Sequence, residues 1–185
     1  GYTSSFTIYD TSDSERLMKE ILRDLGLDDK TFPPRYVLSI IGRQKDRLIS
    51  PEQMLEDSRG SSDLRILQIA KVYGIYQKRL KDNNALDFDD ILYVTVKLLQ
   101  QDEEVREFYQ RKFHYVLVDE YQDTNHVQYL LTELLAGQRR NICVVGDDDQ
   151  SIYRFRGATI ENILNFEEQY PGARAIRLEQ NYRST

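Results

Sequence analysis

The chain has 185 residues, of which 40% are hydrophobic and 30% are charged, and its net charge is −6 at pH 7. This composition excludes a disordered polymer and leaves room for one or two globular domains. No apolar stretch reaches the roughly 20 residues of a membrane span. The negative charge argues against a general nucleic-acid-binding surface, so any DNA binding must depend on a local groove.

The first 87 residues carry helix signals and no strand signal, and they hold 14 acidic and 14 basic side chains. Capping residues and prolines mark where helices begin, because they satisfy or tolerate the unpaired amides of a first turn. The segment therefore predicts an all-helical subdomain. Its signals are Ser12 with Glu15, Gly26 as a stop, Pro33-Pro34, Ser50-Pro51 and a long helix over residues 63–81.

Residues 88–185 alternate between helical and strand patterns, and they carry 17 acidic against 11 basic side chains. Strands that alternate with helices are typical of a parallel α/β sheet. Helices are predicted at 88–100, 103–111, 126–136 and 159–169, and strands at 115–118, 142–145 and 174–178.

The single cysteine of the sequence, Cys143, falls in the second predicted strand. One cysteine cannot form a disulfide within the chain, and a lone thiol is typical of proteins from a reducing cytoplasm. We therefore expect a packed, unreactive thiol in a cytoplasmic protein.

Two adjacent acids, Asp119 and Glu120, follow the apolar run Val116-Leu117-Val118. Ligands of open α/β sheets collect at the carboxyl ends of the strands, so the acids are predicted to lie where a nucleotide would bind. This is the Walker B arrangement, in which the first acid holds Mg²⁺ through water and the second orients or deprotonates the attacking water. The alternative is a buried strand followed by a solvated acidic turn.

Two further polar residues, Gln122 and Asp123, lie on the loop after this strand. We predict that they contact the nucleotide site or relay its state. An alternative for Asp123 is that it caps the helix that starts near Asn125. The two interpretations are compatible.

Three longer motifs follow one another along the chain: Asp-Glu-Tyr-Gln-Asp-Thr at 119–124, Gly-Asp-Asp-Asp-Gln-Ser-Ile-Tyr-Arg-Phe-Arg-Gly-Ala at 146–158, and Gln-Asn-Tyr-Arg-Ser at 180–184. In this order they resemble motifs II, III and IV of superfamily 1 DNA helicases of the UvrD/PcrA/Rep type. Leu-Asp-Phe-Asp-Asp-Ile at 86–91 is similar to the segment before motif II. The first 85 residues carry no motif and are assigned by position only.

The resemblance implies roles for residues around ATP. Asp119 and Glu120 take the magnesium-binding and catalytic roles described above. Gln150 senses the γ-phosphate, and Arg183 stabilises the charge that develops during phosphoryl transfer. Tyr182 stacks on the adenine ring.

The resemblance also implies that Tyr153, Phe155 and Arg156 contact DNA, because aromatic rings beside arginine can stack on unpaired bases. Phe155 occupies the place where the family often has Trp. The alternative from composition is that the aromatic residues belong to the core. Tyr153 and Arg156 have the further alternative of bracing the motif.

By position, residues 1–87 match the inserted subdomain called 1B, which in the family approaches duplex DNA. Residues 88–178 match the C-terminal part of the first RecA-like lobe, and 179–185 match the start of the second lobe. The expected fold class is therefore α/β, with a partial RecA-like (P-loop NTPase) parallel sheet and an all-helical inserted subdomain. Seven basic residues are candidate phosphate contacts, with a solvated helix face as the alternative: Arg43, Lys45, Arg47, Lys71, Lys78, Arg79 and Lys81.

The sequence contains no Gly-x-x-x-x-Gly-Lys-Ser/Thr loop, which leads us to expect an internal fragment of a larger helicase. The resemblance implies ATP and Mg²⁺ as cofactors, single-stranded DNA and single-strand/duplex junctions as partners, and 3′ to 5′ translocation in DNA repair or replication. One alternative is the helicase subunit of a recombination helicase–nuclease complex. Another is a non-catalytic module that binds nucleic acid or protein.

Overall fold

The computed structural model describes residues 1–60, 62–147 and 161–177. These residues form a mixed α/β structure in which helices predominate and the strands are short. In chain order the described elements are β1 (Thr7–Tyr9), α1 (Thr11–Asp24), α2 (Pro34–Asp46), α3 (Pro51–Ser58), α4 (Leu64–Asp82), β2 (Ala85–Asp87), α5 (Phe88–Gln101), α6 (Glu103–Lys112), β3 (Val116–Val118), α7 (His126–Ala136), β4 (Ile142–Val144), and the one-turn helices α8 (Glu161–Leu164) and α9 (Phe166–Gln169).

Helix ends follow the capping signals of the sequence, with one correction. The Ser50 side chain accepts a hydrogen bond from Gln53 N and begins α3 as predicted, with proline at the first helical position. Helix α1 instead begins from Asp10, whose Oδ1 accepts a hydrogen bond from Asp13 N at 2.8 Å. Both Asp10 and Ser12 are good capping residues, and the earlier one has the extended backbone that a cap requires.

The expectation of an all-helical segment over residues 1–87 is wrong at the two ends of that segment. Strands β1 and β2 pair in parallel, with Thr7 opposite Ala85 and Tyr9 opposite Asp87. Strands of three residues are too short to show an alternating pattern, and Ala-Leu-Asp has little strand propensity. Their conformation is determined by pairing with a strand that is distant in sequence. A local sequence pattern does not indicate such a partner.

The core of the helical part is packed between α1, α2 and α4. These helices present apolar side chains at helical spacing, and the side chains meet in one cluster. Eight of its members are completely inaccessible to solvent: Met18, Leu22, Val37, Val72, Tyr73, Tyr76, Leu80 and Ala85.

A second parallel pair, β3 and β4, carries the acidic motif. Val116 lies opposite Ile142, and Leu117 lies opposite Cys143. Helix α7 connects the two strands and packs against β3. Leu117 is 74% exposed and Cys143 is exposed as well, so the expectation of a buried strand is wrong at Leu117 and the prediction of a packed thiol is wrong. An apolar run is buried on both faces only when layers cover both, and the described residues cover one.

The C-terminal part of the described chain also departs from the sequence prediction. The helix expected over residues 159–169 is divided into α8 and α9 at Asn165, within the portion of it that is described. Residues 174–177 form no strand, and Ile176 is 71% exposed. A strand needs a hydrogen-bonded neighbour, and no described strand pairs with this segment. None of the described helices has the length and apolar character that crossing a membrane requires.

Candidate active site

The two acids of motif II lie where the parallel strands β3 and β4 end. Asp119 and Glu120 follow Val118 directly, and both side chains are exposed. Backbone hydrogen bonds extend beyond the strands, from Val145 N to Val118 O at 2.8 Å and from Tyr121 N to Val145 O at 2.9 Å. The segment after β4 is therefore held beside the acids, as expected for the carboxyl edge of a parallel sheet.

The backbone turns sharply at Glu120, which adopts a left-handed conformation with φ 51° and ψ 42°. Side-chain-bearing residues rarely adopt this conformation, and it costs of the order of 1–3 kcal/mol unless the surroundings hold it. Two hydrogen bonds stabilise the turn: Glu120 N donates to Asp119 Oδ1 at 2.9 Å, and Asp123 N donates to Glu120 O at 2.9 Å. The turn leaves both carboxylates at the edge of the sheet.

Gln122 joins the two loops at this edge. Its Nε2 donates to Glu120 Oε2 at 2.7 Å, and its Oε1 accepts a hydrogen bond from Asp147 N at 3.0 Å. The side chain is 1% exposed. Gln122 thus lies beneath the acids, where it orients the Glu120 carboxylate.

Gly146 allows this close approach, because any side chain at that position would collide with its neighbours. A Cβ added there would lie 2.6 Å from Gln122 Oε1 and 2.7 Å from Ile163 Cδ1. Such distances are far below a van der Waals contact. A side chain at the position that opens motif III would therefore force Gln122 or Ile163 to move.

The residue that caps helix α7 is Asn125 and not Asp123. Asn125 is the cap of α7: its Oδ1 accepts from Gln128 N, and Gln128 Oε1 accepts from Asn125 N, both at 3.0 Å. The interpretation of Asp123 as the cap is wrong, since Asp123 lies exposed in the 3₁₀ turn that precedes the helix. The spacing Asn-x-x-Gln is a capping-box signal that the sequence already contained.

Tyr121 anchors the turn from inside the protein. Its ring meets Phe166 edge to face, with 5.8 Å between the ring centroids. The hydroxyl is buried without a hydrogen-bond partner in the part of the chain that the structure describes, and burial raises the pKa of Tyr121 to about 12. Asn162 of α8 donates from Nδ2 to Thr124 O at 3.2 Å, so α8 also holds the turn. Tyr121 is therefore a neutral packing residue at neutral pH.

The structure brings together the motif II residues Asp119, Glu120 and Gln122 with the start of motif III at Asp147. The other predicted site residues lie outside the described residues: Gln150, Tyr153, Phe155, Arg156, Tyr182 and Arg183.

The donor set at this edge fits a magnesium ion that binds together with a nucleotide. Within residues 1–60, 62–147 and 161–177, no group of three or more His, Cys, Asp or Glu side chains could enclose a metal ion. Mg²⁺ does not require such a cage, because it usually takes one or two carboxylates, keeps several waters and shares phosphate oxygens. Asp119 and Glu120 supply carboxylates of this kind.

Sequence reasoning missed a buried ionic cluster between the end of α2 and the start of α5. Lys45 Nζ lies 2.7 Å from Asp87 Oδ2 and 2.9 Å from Asp90 Oδ1. Lys45 is 1% exposed, so its prediction as a DNA phosphate contact is wrong. The acids lie in the Leu-Asp-Phe-Asp-Asp-Ile segment at 86–91, and their i, i+3 spacing marks a helix cap. The lysine partner 42 residues away has no such local signal.

The chain belongs to the family of the UvrD/REP helicase N-terminal domain, which matches residues 1–171. It is 51% identical over 192 aligned residues to "ATP-dependent DNA helicase UvrD1" of Mycobacterium tuberculosis (strain CDC 1551 / Oshkosh). It is 51% identical over 185 residues to "ATP-dependent DNA helicase PcrA" of Bacillus subtilis (strain 168), and 47% identical to PcrA of Staphylococcus aureus (strain NCTC 8325 / PS 47). All of this chain is covered in each case, and it spans 25% of the length of each relative.

Proposed function

We propose that the chain is the part of an ATP-dependent DNA helicase that carries the hydrolytic acids of the first RecA-like lobe. One observation carries the proposal: Asp119 and Glu120 lie at the carboxyl edge of a parallel strand pair, beside the start of motif III, in a member of the UvrD/REP family. The proposed domains are an insertion resembling 1B over residues 1–87, the lobe over 88–178, and the start of the second lobe over 179–185.

In this proposal the acids have separate tasks. Asp119 would hold Mg²⁺, and Glu120 orients the attacking water and accepts its proton. Mg²⁺ bound with ATP neutralises charge on the phosphates. Gln122 fixes one oxygen of the Glu120 carboxylate at 2.7 Å, which leaves the other oxygen available to face the water. Orienting a base in this way increases the fraction of encounters that lead to reaction.

The remaining nucleotide contacts in the proposal come from motifs III and IV. Gln150 responds to the γ-phosphate, Tyr182 stacks on adenine, and Arg183 stabilises the transition state. Asp123, exposed on the turn after Glu120, contributes a further contact with the nucleotide site. Because Gln122 bonds to Asp147, a change around the phosphates can be transmitted to motif III through one buried amide.

DNA binding in the proposal depends on Tyr153, Phe155 and Arg156 of motif III. Phe155 stacks on an unpaired base, and the helical part approaches the duplex at a single-strand/duplex junction. ATP-driven opening and closing of two lobes then moves the protein 3′ to 5′ in the cytoplasm, during DNA repair or replication. The relatives UvrD1 and PcrA are named as DNA helicases, which supports DNA as the substrate class.

The experiment uses a full-length helicase polypeptide that contains this chain. ATP hydrolysis is measured with and without single-stranded DNA, and unwinding is measured on duplexes with a 3′ or a 5′ single-stranded tail. The proposal predicts hydrolysis that DNA stimulates and unwinding of the 3′-tailed duplex. Hydrolysis that DNA does not stimulate, together with no unwinding, would contradict the proposal.

A further inference from the structure

We propose that Asp46 is a positioning residue for ATP hydrolysis, because its hydrogen bond to Asn125 connects the helical part of the chain to the turn that carries Glu120. Asn125 Nδ2 donates to Asp46 Oδ1 at 2.9 Å across 79 residues of sequence. The inference rests on the proposed function, since it assigns Asp46 to the same hydrolytic site.

Asn125 forms hydrogen bonds both as an acceptor and as a donor. Its Oδ1 caps α7 through Gln128 N, its backbone amide donates to Gln128 Oε1, and its Nδ2 donates to Asp46. Asp, Ser or Thr would cap a helix as well. Aspartate has no donor, and serine or threonine would have to use one oxygen for both bonds, whereas asparagine supplies a capping oxygen and a separate amide donor for Asp46. The residue type at 125 therefore serves the contact with α2 in addition to the cap.

Asp46 is held in place by its neighbour in sequence. It is the last residue of α2, and Lys45 beside it forms the buried pairs with Asp87 and Asp90 at the start of α5. Moving the end of α2 would separate charges that are shielded from water, which is strongly unfavourable. Asp46 is thus a fixed point to which Asn125 is attached.

Hydrogen bonds within residues 120–124 constrain the short stretch of backbone that leads from Glu120 to Asn125. Thr124 Oγ1 donates to Tyr121 O at 2.7 Å, and Asp123 N donates to Glu120 O at 2.9 Å. Residues 120–125 therefore form one tight turn with little internal freedom. A shift of Asn125 displaces the whole turn, and with it the carboxylate of Glu120.

The chemical consequence is a change in hydrolysis without a change in nucleotide affinity. Asp46 and Asn125 do not belong to the groups proposed to contact ATP, whereas Glu120 must be aligned with the attacking water. Small displacements of a catalytic group lower rates strongly, by up to about 100-fold for one ångström. Loss of the Asp46 contact is expected to lower the rate of the chemical step by about tenfold.

The first experiment measures single-turnover hydrolysis of prebound ATP by the full-length helicase with saturating single-stranded DNA. This rate constant does not depend on the fraction of protein that is folded. Asp46→Ala is expected to lower it about tenfold while the Kd for ATP stays within about twofold. Asp46→Asn keeps an accepting oxygen and should retain most of the rate. Asp57→Ala, an exposed acid in the last turn of α3, is the matched control.

The second experiment exchanges donor and acceptor. Asn125→Asp keeps the cap but brings a carboxylate against Asp46, and the rate constant should fall by about tenfold. Adding Asp46→Asn restores a donor opposite the new carboxylate, and the rate should recover to within about threefold of wild type. Failure of this recovery, or an unchanged rate in Asp46→Ala, would overturn the role of Asp46 alone. Absence of ATP hydrolysis in the wild-type protein would overturn the proposed function and this role together.

Discussion

At the scale of single residues, Gln122 determines the geometry of the candidate site. Both ends of its amide are bonded, to Glu120 and to Asp147 N, and the side chain is buried. A buried amide whose nitrogen and oxygen both form hydrogen bonds stabilises the protein and also fixes the orientation of its partners. Each partner would lose a hydrogen bond if it moved away. The position of the Glu120 carboxylate therefore depends on a residue that the proposal does not bring into contact with ATP.

The first prediction concerns Gln122→Met, which keeps the size of the side chain and removes both hydrogen bonds. The free energy of unfolding of the purified chain should fall by about 1–3 kcal/mol, because Asp147 N loses its partner inside the protein. Urea denaturation measures this change. Gln138→Met, at an exposed glutamine, is the control and should leave the free energy of unfolding unchanged. Equal stability of Gln122→Met and wild type would mean that the two hydrogen bonds do not hold the loops together.

The residues of the site differ in how far the sequence could predict them. Asp119 and Glu120 could be placed at a strand end, because an apolar run followed by two acids is a local signal. The bridging role of Gln122 could not, since its partner Asp147 lies 25 residues further along the chain. Lys45 was misinterpreted for the same reason: a basic residue on a predicted helix looks solvated until its buried acidic partners are known.

At the scale of secondary-structure elements, the ionic cluster joins the end of α2 to the start of α5. Tyr76 of α4 adds a hydrogen bond from its hydroxyl to Asp87 Oδ2 at 3.0 Å, and Gln77 Nε2 donates to Asp90 Oδ1 at 3.0 Å. Three helices therefore meet at one set of buried charges. Removing one partner of a buried ion pair is strongly destabilising, because the remaining charge stays away from water.

The second prediction is that Lys45→Met lowers the free energy of unfolding by about 3–5 kcal/mol at neutral pH. Lys78→Met, on the exposed face of α4, is the matched control and should have little effect. Urea denaturation of the purified chain measures both. A loss in Lys45→Met no larger than the loss in Lys78→Met would show that the cluster contributes little to stability.

The third prediction is that the loss of stability in Lys45→Met depends on pH. Burial raises the pKa of Asp90, and the charge of Lys45 opposes that rise. Without Lys45 the pKa of Asp90 in the folded state rises further above its unfolded value, so the folded variant binds more protons than the unfolded variant. The stability deficit relative to wild type should therefore shrink as the pH falls from about 7 to about 5. A deficit that is constant over this range would contradict protonation of the buried acid.

Helices and strands were not equally predictable. Helices α2 to α7 match their predicted positions closely, because caps, prolines and apolar spacing are local features. Strands β1 and β2 were missed, and a strand was wrongly predicted at 174–178, of which residues 174–177 are described. Strand formation depends on a partner that is distant in sequence, which a local pattern does not contain.

At the scale of the whole molecule, one face of the β3–β4 pair is uncovered within the described structure. Tyr115, Leu117 and Val145 are exposed apolar residues of these strands or their flanks, and Cys143 is exposed beside Leu117. An apolar face of this kind is typical of a surface that another layer of protein covers. The chain spans 25% of its relatives' length, and in the proposed full-length helicase other parts of the polypeptide would cover this face.

The fourth prediction is that Cys143 reacts readily with a water-soluble thiol reagent in the isolated chain and slowly in a full-length helicase that contains the chain. Reaction of a thiol requires access, and the sheet face would be covered in the larger protein. Absorbance of the released chromophore measures the rate, and Cys143→Ser is the blank. Equal rates in the two proteins would mean that the face stays open in the helicase.

The proposed role of Glu120 in hydrolysis, at the edge of the β3–β4 pair, is tested most directly by Glu120→Gln in the full-length helicase. The amide keeps the size of the side chain but cannot accept the proton of the attacking water. DNA-stimulated ATP hydrolysis is expected to fall by about 10²–10⁴-fold while the Kd for ATP stays within about threefold. Glu104→Gln, an exposed acid on α6, should behave as wild type. Hydrolysis that persists in Glu120→Gln, or ATP affinity that collapses together with turnover, would contradict the account.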